Sequence, residues 1–256
     1  MTTPRASRPR AARSAAVASP QPDAAGGLAP REQALWNAQL RAEALFATVV
    51  GQRLLRPGVL ESELSEEIHA LARARFGVRR HWHRRVVRSG PNSALTYYDS
   101  PPDRRLEADD VVYLDFGPVF GRWEADLGRT YVLGDDPRKQ QLVRDIGDAF
   151  RQGQALYAAE PTLTAGQLYD YVAALATAAG WTFGARTAGH IIDEFPHGRT
   201  PDPGKRYSIR SGNPTELHEP CDDGRARHWI LEIHFVDHAR RYGGFLEELL
   251  TIRGPR

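Results

Sequence analysis

Apolar residues recur at helical spacing from Pro30 onward: Leu35, Leu40, Leu45 and Val49 mark a stripe that continues through Leu54, and Pro57-Gly58 breaks it. The pattern predicts a second helix from about Ser62 to Arg75, with Leu64, Ile68 and Leu71 on one face and Gly77 as its stop. Three strands are expected next, Trp82 to Val87, Val111 to Phe116 and Trp123 to Leu133. The turn-rich stretches Ser89-Gly90-Pro91-Asn92 and Ser100-Pro101-Pro102-Asp103 fall between the first two. Helices are expected from Pro137 to about Ala158 and from Thr164 to Ala179, the second ended by Gly180. A loop region with Gly, Pro and His spans 184 to 228, and the chain closes with the apolar runs Trp229 to Val236 and Phe245 to Ile252. The order helices, strands, helices, strands predicts an α+β protein in which two halves share one sheet.

Carboxylates interrupt these apolar strands, where an unpaired buried charge is very costly. Asp115 sits in Val111-Val112-Tyr113-Leu114-Asp115-Phe116, and Asp126 follows in Glu124-Ala125-Asp126-Leu127-Gly128-Arg129-Thr130. A hairpin turning at Phe120-Gly121 would set the two aspartates opposite each other. Glu232 interrupts Trp229-Ile230-Leu231-Glu232-Ile233, and Glu247 interrupts Phe245-Leu246-Glu247-Glu248-Leu249. A hairpin turning at Ala239-Arg240 would set Glu232 opposite Glu247, with Glu248 on the other face. Four converging carboxylates need positive compensation. Two divalent cations would supply it, and oxygen-rich sites suit Mn, Co, Fe or Zn.

His190 and His197 stand seven apart in Gly189-His190-Ile191-Ile192-Asp193-Glu194-Phe195-Pro196-His197, and imidazole suits the same ions. His81 and His83 flank Trp82 and, on a strand, would share a side, either as a pocket wall or as a solvated face. His234 shares the face of Glu232, in a lining or a structural role.

Composition adds a frame. The chain has 256 residues, 41% hydrophobic and 26% charged, which is ordinary globular usage. One cysteine, Cys221, excludes an internal disulfide and a thiolate-built zinc site, and suits a reducing cytoplasm. Residues 1–28 are rich in Ala, Pro, Ser and Arg and are expected to be a disordered basic tail. The arginines of that tail carry much of the basic excess behind the net charge of +2, so no nucleic-acid partner is expected. No apolar run reaches the roughly 18 residues of a membrane helix, and no apolar segment follows the first arginines as in a signal peptide. A cytoplasmic protein with no membrane partner is expected.

Taken in order, Asp115, Asp126, His190 with His197 seven later, Glu232 and Glu247 resemble the pita-bread metallopeptidases. That family includes methionine aminopeptidases, Xaa-Pro aminopeptidases, prolidases and creatinases. Asp115-Phe116-Gly117, Asp126-Leu127-Gly128-Arg129-Thr130 and Pro57-Gly58-Val59-Leu60-Glu61 support the resemblance, which covers about residues 31–256. It implies a pita-bread fold over residues 29–256: a curved, mainly antiparallel sheet with outer helices and a pseudo-twofold axis. It further implies two divalent ions, with Asp115 chelating one, His190 and Glu232 holding the other, and Asp126 and Glu247 bridging both. Water activated between the ions would be the nucleophile. Glu232 would be the general base and proton shuttle, and His197 would donate a hydrogen bond to the substrate carbonyl.

The resemblance departs at one position. Family peptidases carry a histidine just before the first metal strand, where this chain reads Leu95-Thr96-Tyr97-Tyr98. Tyr97 takes that place, or Thr96 if the register slips, and Tyr97 is a different proton donor there. Ile233, not proline, follows Glu232, and the larger N-terminal domain of Xaa-Pro aminopeptidases and prolidases is expected to be absent. The expected activity is amide hydrolysis in a small peptide or amino-acid derivative, aminopeptidase-like, by a monomer or homodimer. The alternatives are a non-peptidase enzyme on the same scaffold and a binding module. The first would open a cyclic amide or amidine, or oxidise a small metabolite with its metal.

Overall fold

The structure, a computed structural model, describes residues 28–199, 202 and 206–253. The expected N-terminal tail lies outside the described residues, apart from Leu28. Four helices form: α1 (Pro30–Gly51), α2 (Glu61–Phe76), α3 (Pro137–Ala159) and α4 (Ala165–Ala178). Their ends follow local chemistry. Pro30 and Pro137 occupy first-turn positions, where the missing N–H costs nothing. The Asp136 carboxylate accepts from the N–H groups of Arg138 and Lys139, and Thr164 and Gln167 form a reciprocal capping box. No helix among the described residues is long and apolar enough to cross a membrane.

Six strands, β1 (Val86–Ser89), β2 (Val111–Phe116), β5 (Leu127–Val132), β6 (Thr182–Phe183), β7 (Ile230–Asp237) and β8 (Tyr242–Leu249), make one sheet. Its order is β1-β2-β5-β8-β7-β6, and every pairing recorded in it is antiparallel. The short strands β3 (Val119–Phe120) and β4 (Trp123–Glu124) pair separately. Each half of the chain runs from an outer edge inward, and the halves meet where Gly128 of β5 pairs with Glu247 of β8. That is the pseudo-twofold arrangement expected. Side-chain alternation then sorts the two faces. Val112, Leu114 and Phe116 pack with α1 and α2 in one apolar cluster, and Leu231, Ile233 and Phe235 pack with α3 and α4 in another. The remaining positions, Tyr113, Asp115, Glu232, His234, Phe245 and Glu247, share the opposite face.

Three expectations need correction. The first hairpin turns one residue later than expected, at Gly121-Arg122, because Phe120 pairs with Trp123, and this shifts the register by two. Asp115 therefore opposes Gly128 rather than Asp126. A slip of two keeps every side chain on its own face, so Asp126 still lies on the side of Asp115, diagonally displaced. Second, Trp123 to Leu133 is two strands, interrupted at Ala125-Asp126. Third, Trp82 to Arg85 is not strand. Trp82 donates its N–H to the Gly117 carbonyl at 2.9 Å, tying this segment to the turn after β2, and regular pairing begins only at Val86. The second hairpin has the expected register, with Glu232 opposite Glu247.

Candidate metal centre

Five acids and imidazoles singled out by spacing meet at one place. β2 presents Asp115, and β7 and β8 present Glu232 and Glu247 as a cross-strand pair. Asp126 comes from the irregular step between β4 and β5, where it is 1% exposed. His190 enters from the long loop, whose backbone crosses β7 so closely that the His190 carbonyl accepts from Ile230 N–H at 2.8 Å. Gly189 permits that crossing. Its φ is +137°, and a Cβ there would lie 2.0 Å from the Ile230 carbonyl oxygen.

Asp126 is the hub. Its Oδ2 lies 3.2 Å from His190 Nε2, which is also 3.7 Å from Glu232 Oε1 and 3.9 Å from Glu247 Oε1. Its Oδ1 lies 3.1 Å from His83 Nε2, which is 3.5 Å from Asp115 Oδ1. The electrostatics show a cluster short of positive charge. Burial opposes a charge on His83, yet the carboxylates of Asp126 and Asp115 outweigh it and raise its pKa to about 9. Burial of His190 is outweighed in the same way, by Asp126 and then Glu232, and its pKa also rises to about 9. Burial and the neighbouring carboxylates push Asp115, Glu232 and Glu247 up, while the two imidazoles hold Asp126 down despite its burial. Three acids are thus driven toward the neutral form and two histidines toward the charged one.

The donors fit divalent cations. Ligand atoms of His83, Asp115 and Asp126 lie within 4.8 Å of one another, as do those of Asp126, His190 and Glu247. Asp115 Oδ1 is buried with no hydrogen-bond partner, an orphan acceptor that a cation would satisfy. Oxygen and imidazole donors suit hard and borderline ions.

His197 stacks beside this cluster, with its ring 5.5 Å from that of His190 and nearly parallel. Its backbone N–H donates to Glu124 Oε1 at 3.0 Å, and its Nδ1 contacts Glu124 Oε2. Glu124 is 1% exposed, and it was not singled out by the sequence reading. The signal was present: an acid between Trp123 and Ala125, at the turn of an apolar hairpin. Tyr97 lies at the rim, 37% exposed, with the Arg84 guanidinium over its ring and its ring 5.8 Å from that of His83. His83 reaches the acids where the family histidine was sought at Tyr97. His81, its expected companion, instead packs against His69 and Phe116. The indole of Trp82 lies against the rings of His83, His190 and His197, anchored by its Nε1–H to the Ala125 carbonyl at 3.2 Å. His234 is buried, with Nε2 3.1 Å from the Ser93 carbonyl.

The cluster floors a cleft of about 1100 Å³, walled by Tyr97, Tyr113, Arg186, Tyr207, Arg210 and Phe245 among others.

Residues 33–220 match the family model for metallopeptidase family M24. Over 178 residues, the chain is 27% identical to the Xaa-Pro dipeptidase of Lactobacillus helveticus, a stretch covering 70% of this chain and 46% of that protein. The chain therefore spans about half the length of the curated relatives it matches. Its fold superposes on dipeptidase PepE of Mycobacterium ulcerans with a TM-score of 0.65 and 25% identity, over 87% of this chain and 55% of the other. The prolidase of Pyrococcus furiosus, at 19% identity, shares the fold alone, with a TM-score of 0.66 over 90% of this chain and 66% of its own.

Proposed function

Because the chain belongs to metallopeptidase family M24 and has its pita-bread fold, we propose that it is a dinuclear-metal hydrolase. Its reaction is cleavage of an amide bond in a small peptide or amino-acid derivative, in aminopeptidase fashion. One observation carries this reading: Asp115, Asp126, His190, Glu232 and Glu247 converge at the floor of an open cleft with too little positive charge of their own. Asp115, Asp126 and Glu247 would hold one ion, and His190, Glu232, Asp126 and Glu247 the other, with Mn, Co, Fe and Zn all compatible. Such ions, when bound, supply Lewis-acid polarisation of the scissile carbonyl and lower the pKa of water.

The chain's own residues do the rest. Glu232, beside His190 and facing the cleft, takes a proton from the attacking water and returns it to the departing amine. Glu124 accepts from His197 Nδ1 and so fixes the ring beside the cleft; with both ring nitrogens protonated, Nε2–H donates to the carbonyl oxygen as charge builds there. Arg186 and Arg210 on the cleft wall suit the carboxylate of a short peptide. The name of the Xaa-Pro dipeptidase relative makes Xaa-Pro dipeptides the first substrates to try.

The test is a substrate panel. Chelated protein is reloaded with Mn²⁺, Co²⁺, Zn²⁺ or Fe²⁺ and assayed on dipeptides and on cyclic amides. Dipeptide hydrolysis is expected, abolished in Glu232→Gln. Cyclic-amide opening with no dipeptide hydrolysis under any of the four ions overturns the peptidase reading.

A further inference from the structure

His83 and His190 flank Asp126 as near mirror images. Each points Nε2 at a different oxygen of that carboxylate, at 3.1 and 3.2 Å. Each places Nδ1 2.7 Å from the backbone carbonyl of its own next residue, Arg84 or Ile191. A backbone carbonyl can only accept, so Nδ1 carries a proton in both rings, and Nε2 is the nitrogen whose proton a cation would displace to take the lone pair. That is the arrangement in which an outer partner orients a metal-binding imidazole. The same indole, Trp82, packs against both rings.

We propose that His83 is a sixth protein ligand of the dinuclear centre, binding the ion held by Asp115 and Asp126, so that each ion receives one imidazole. Three further features support it. The His83 side chain is only 9% exposed, and its Nε2 lies beside the unpartnered Oδ1 of Asp115. His83, Asp115 and Asp126 offer one nitrogen and two oxygen donors within 4.8 Å of one another. Gly117, two residues after Asp115, leaves the ring its space, since a Cβ there would lie 2.2 Å from His83 Cδ2. The sequence position expected to carry a histidine holds Tyr97, whose ring lies beside that of His83. The imidazole therefore enters from the segment before β1 rather than the one after it.

This inference rests on the metal centre proposed above, and the experiment separates the two. Co²⁺ is titrated into the metal-free 256-residue chain, and its stoichiometry and affinity are measured by calorimetry. Proton NMR of the Co²⁺ form then records exchangeable, hyperfine-shifted histidine N–H signals. Wild type is expected to bind two Co²⁺ and to show a signal from each Nδ1–H. His83→Ala is expected to lose one signal and to weaken one site at least about tenfold. Gly117→Ala, which displaces the ring but keeps it, should weaken the same site. Circular dichroism of the metal-free variants checks that they fold. If wild type binds two ions and a folded His83→Ala keeps every shifted signal and both affinities, His83 is no ligand and the five-residue centre stands. If wild type binds no Co²⁺, the centre and the sixth ligand fall together.

Discussion

Glu232 and Glu247 stand directly opposite one another across the β7–β8 ladder, and Glu247 is 3% exposed. Two ionised acids in that relation would repel, and burial with the neighbouring carboxylates drives Glu247 toward its neutral form, which hydrogen-bonds Glu232. The arrangement trades stability of the metal-free protein for affinity toward cations.

Replacing Glu247 with Gln should therefore act oppositely in the two states. The metal-free protein should gain about 1 kcal/mol at pH 7, since wild type must take a proton onto Glu247 to fold and Gln needs none. The gain from added Mn²⁺ or Co²⁺ should shrink or vanish. In wild type, a metal at 100 times its Kd should add about 2.7 kcal/mol. Urea denaturation with and without metal reads both effects. An unchanged metal response in Glu247→Gln would contradict the ligand assignment.

Glu124 acts through His197, holding both its backbone and its ring. Glu124→Gln removes the charge with little change of shape. Dipeptide kcat should fall about 100-fold, the cost of misplacing a catalytic group. Bound metal should be unchanged by atomic absorption, since Glu124 lies outside the donor cluster.

His228 is a probe of pH dependence away from the cluster. Burial, and then the charge of Arg31, lower its pKa to about 4. A histidine with a depressed folded-state pKa stabilises the fold in its neutral form. Its contribution is complete above the unfolded value near 6.5 and is lost as the pH falls from there toward 4. The slope from this residue should be at most about 1.4 kcal/mol per pH unit. Denaturation midpoints of wild type and His228→Gln, compared at pH 7 and 5, should show the smaller drop in the variant.

Gly189→Ala should be severely destabilising, by about 3 kcal/mol or more. It combines a positive φ with a Cβ driven into the Ile230 carbonyl. Metal affinity should fall as well, because His190 is the next residue. Native-like affinity in this variant would mean that the loop can reseat His190 without the tight crossing.

Much of this centre is legible before folding. Asp115, Glu232 and Glu247 announce themselves by breaking apolar strands, and the register of β7 and β8 follows from a short local turn. The β2–β5 register did not follow so simply, since the small β3–β4 hairpin inside it moves the turn to Gly121-Arg122. Face was still right because strand side chains repeat every two residues, so an even slip is forgiven where an odd one is not. Glu124 and His83 were harder to see. One acid at a turn and one histidine among arginines carry no periodic signal.

The sequence by itself determined the helices, the Glu232–Glu247 hairpin with its register and the face each acid occupies. These depend on hydrogen bonds and alternations spanning a few residues, which local pattern encodes. Tertiary structure alone decided that a second imidazole, His83 from 43 positions before Asp126, joins His190, which the sequence had offered from 64 after. Contacts at that separation are set by how helices and sheet pack and by where glycines let backbones cross. No spacing rule along the chain reports that geometry.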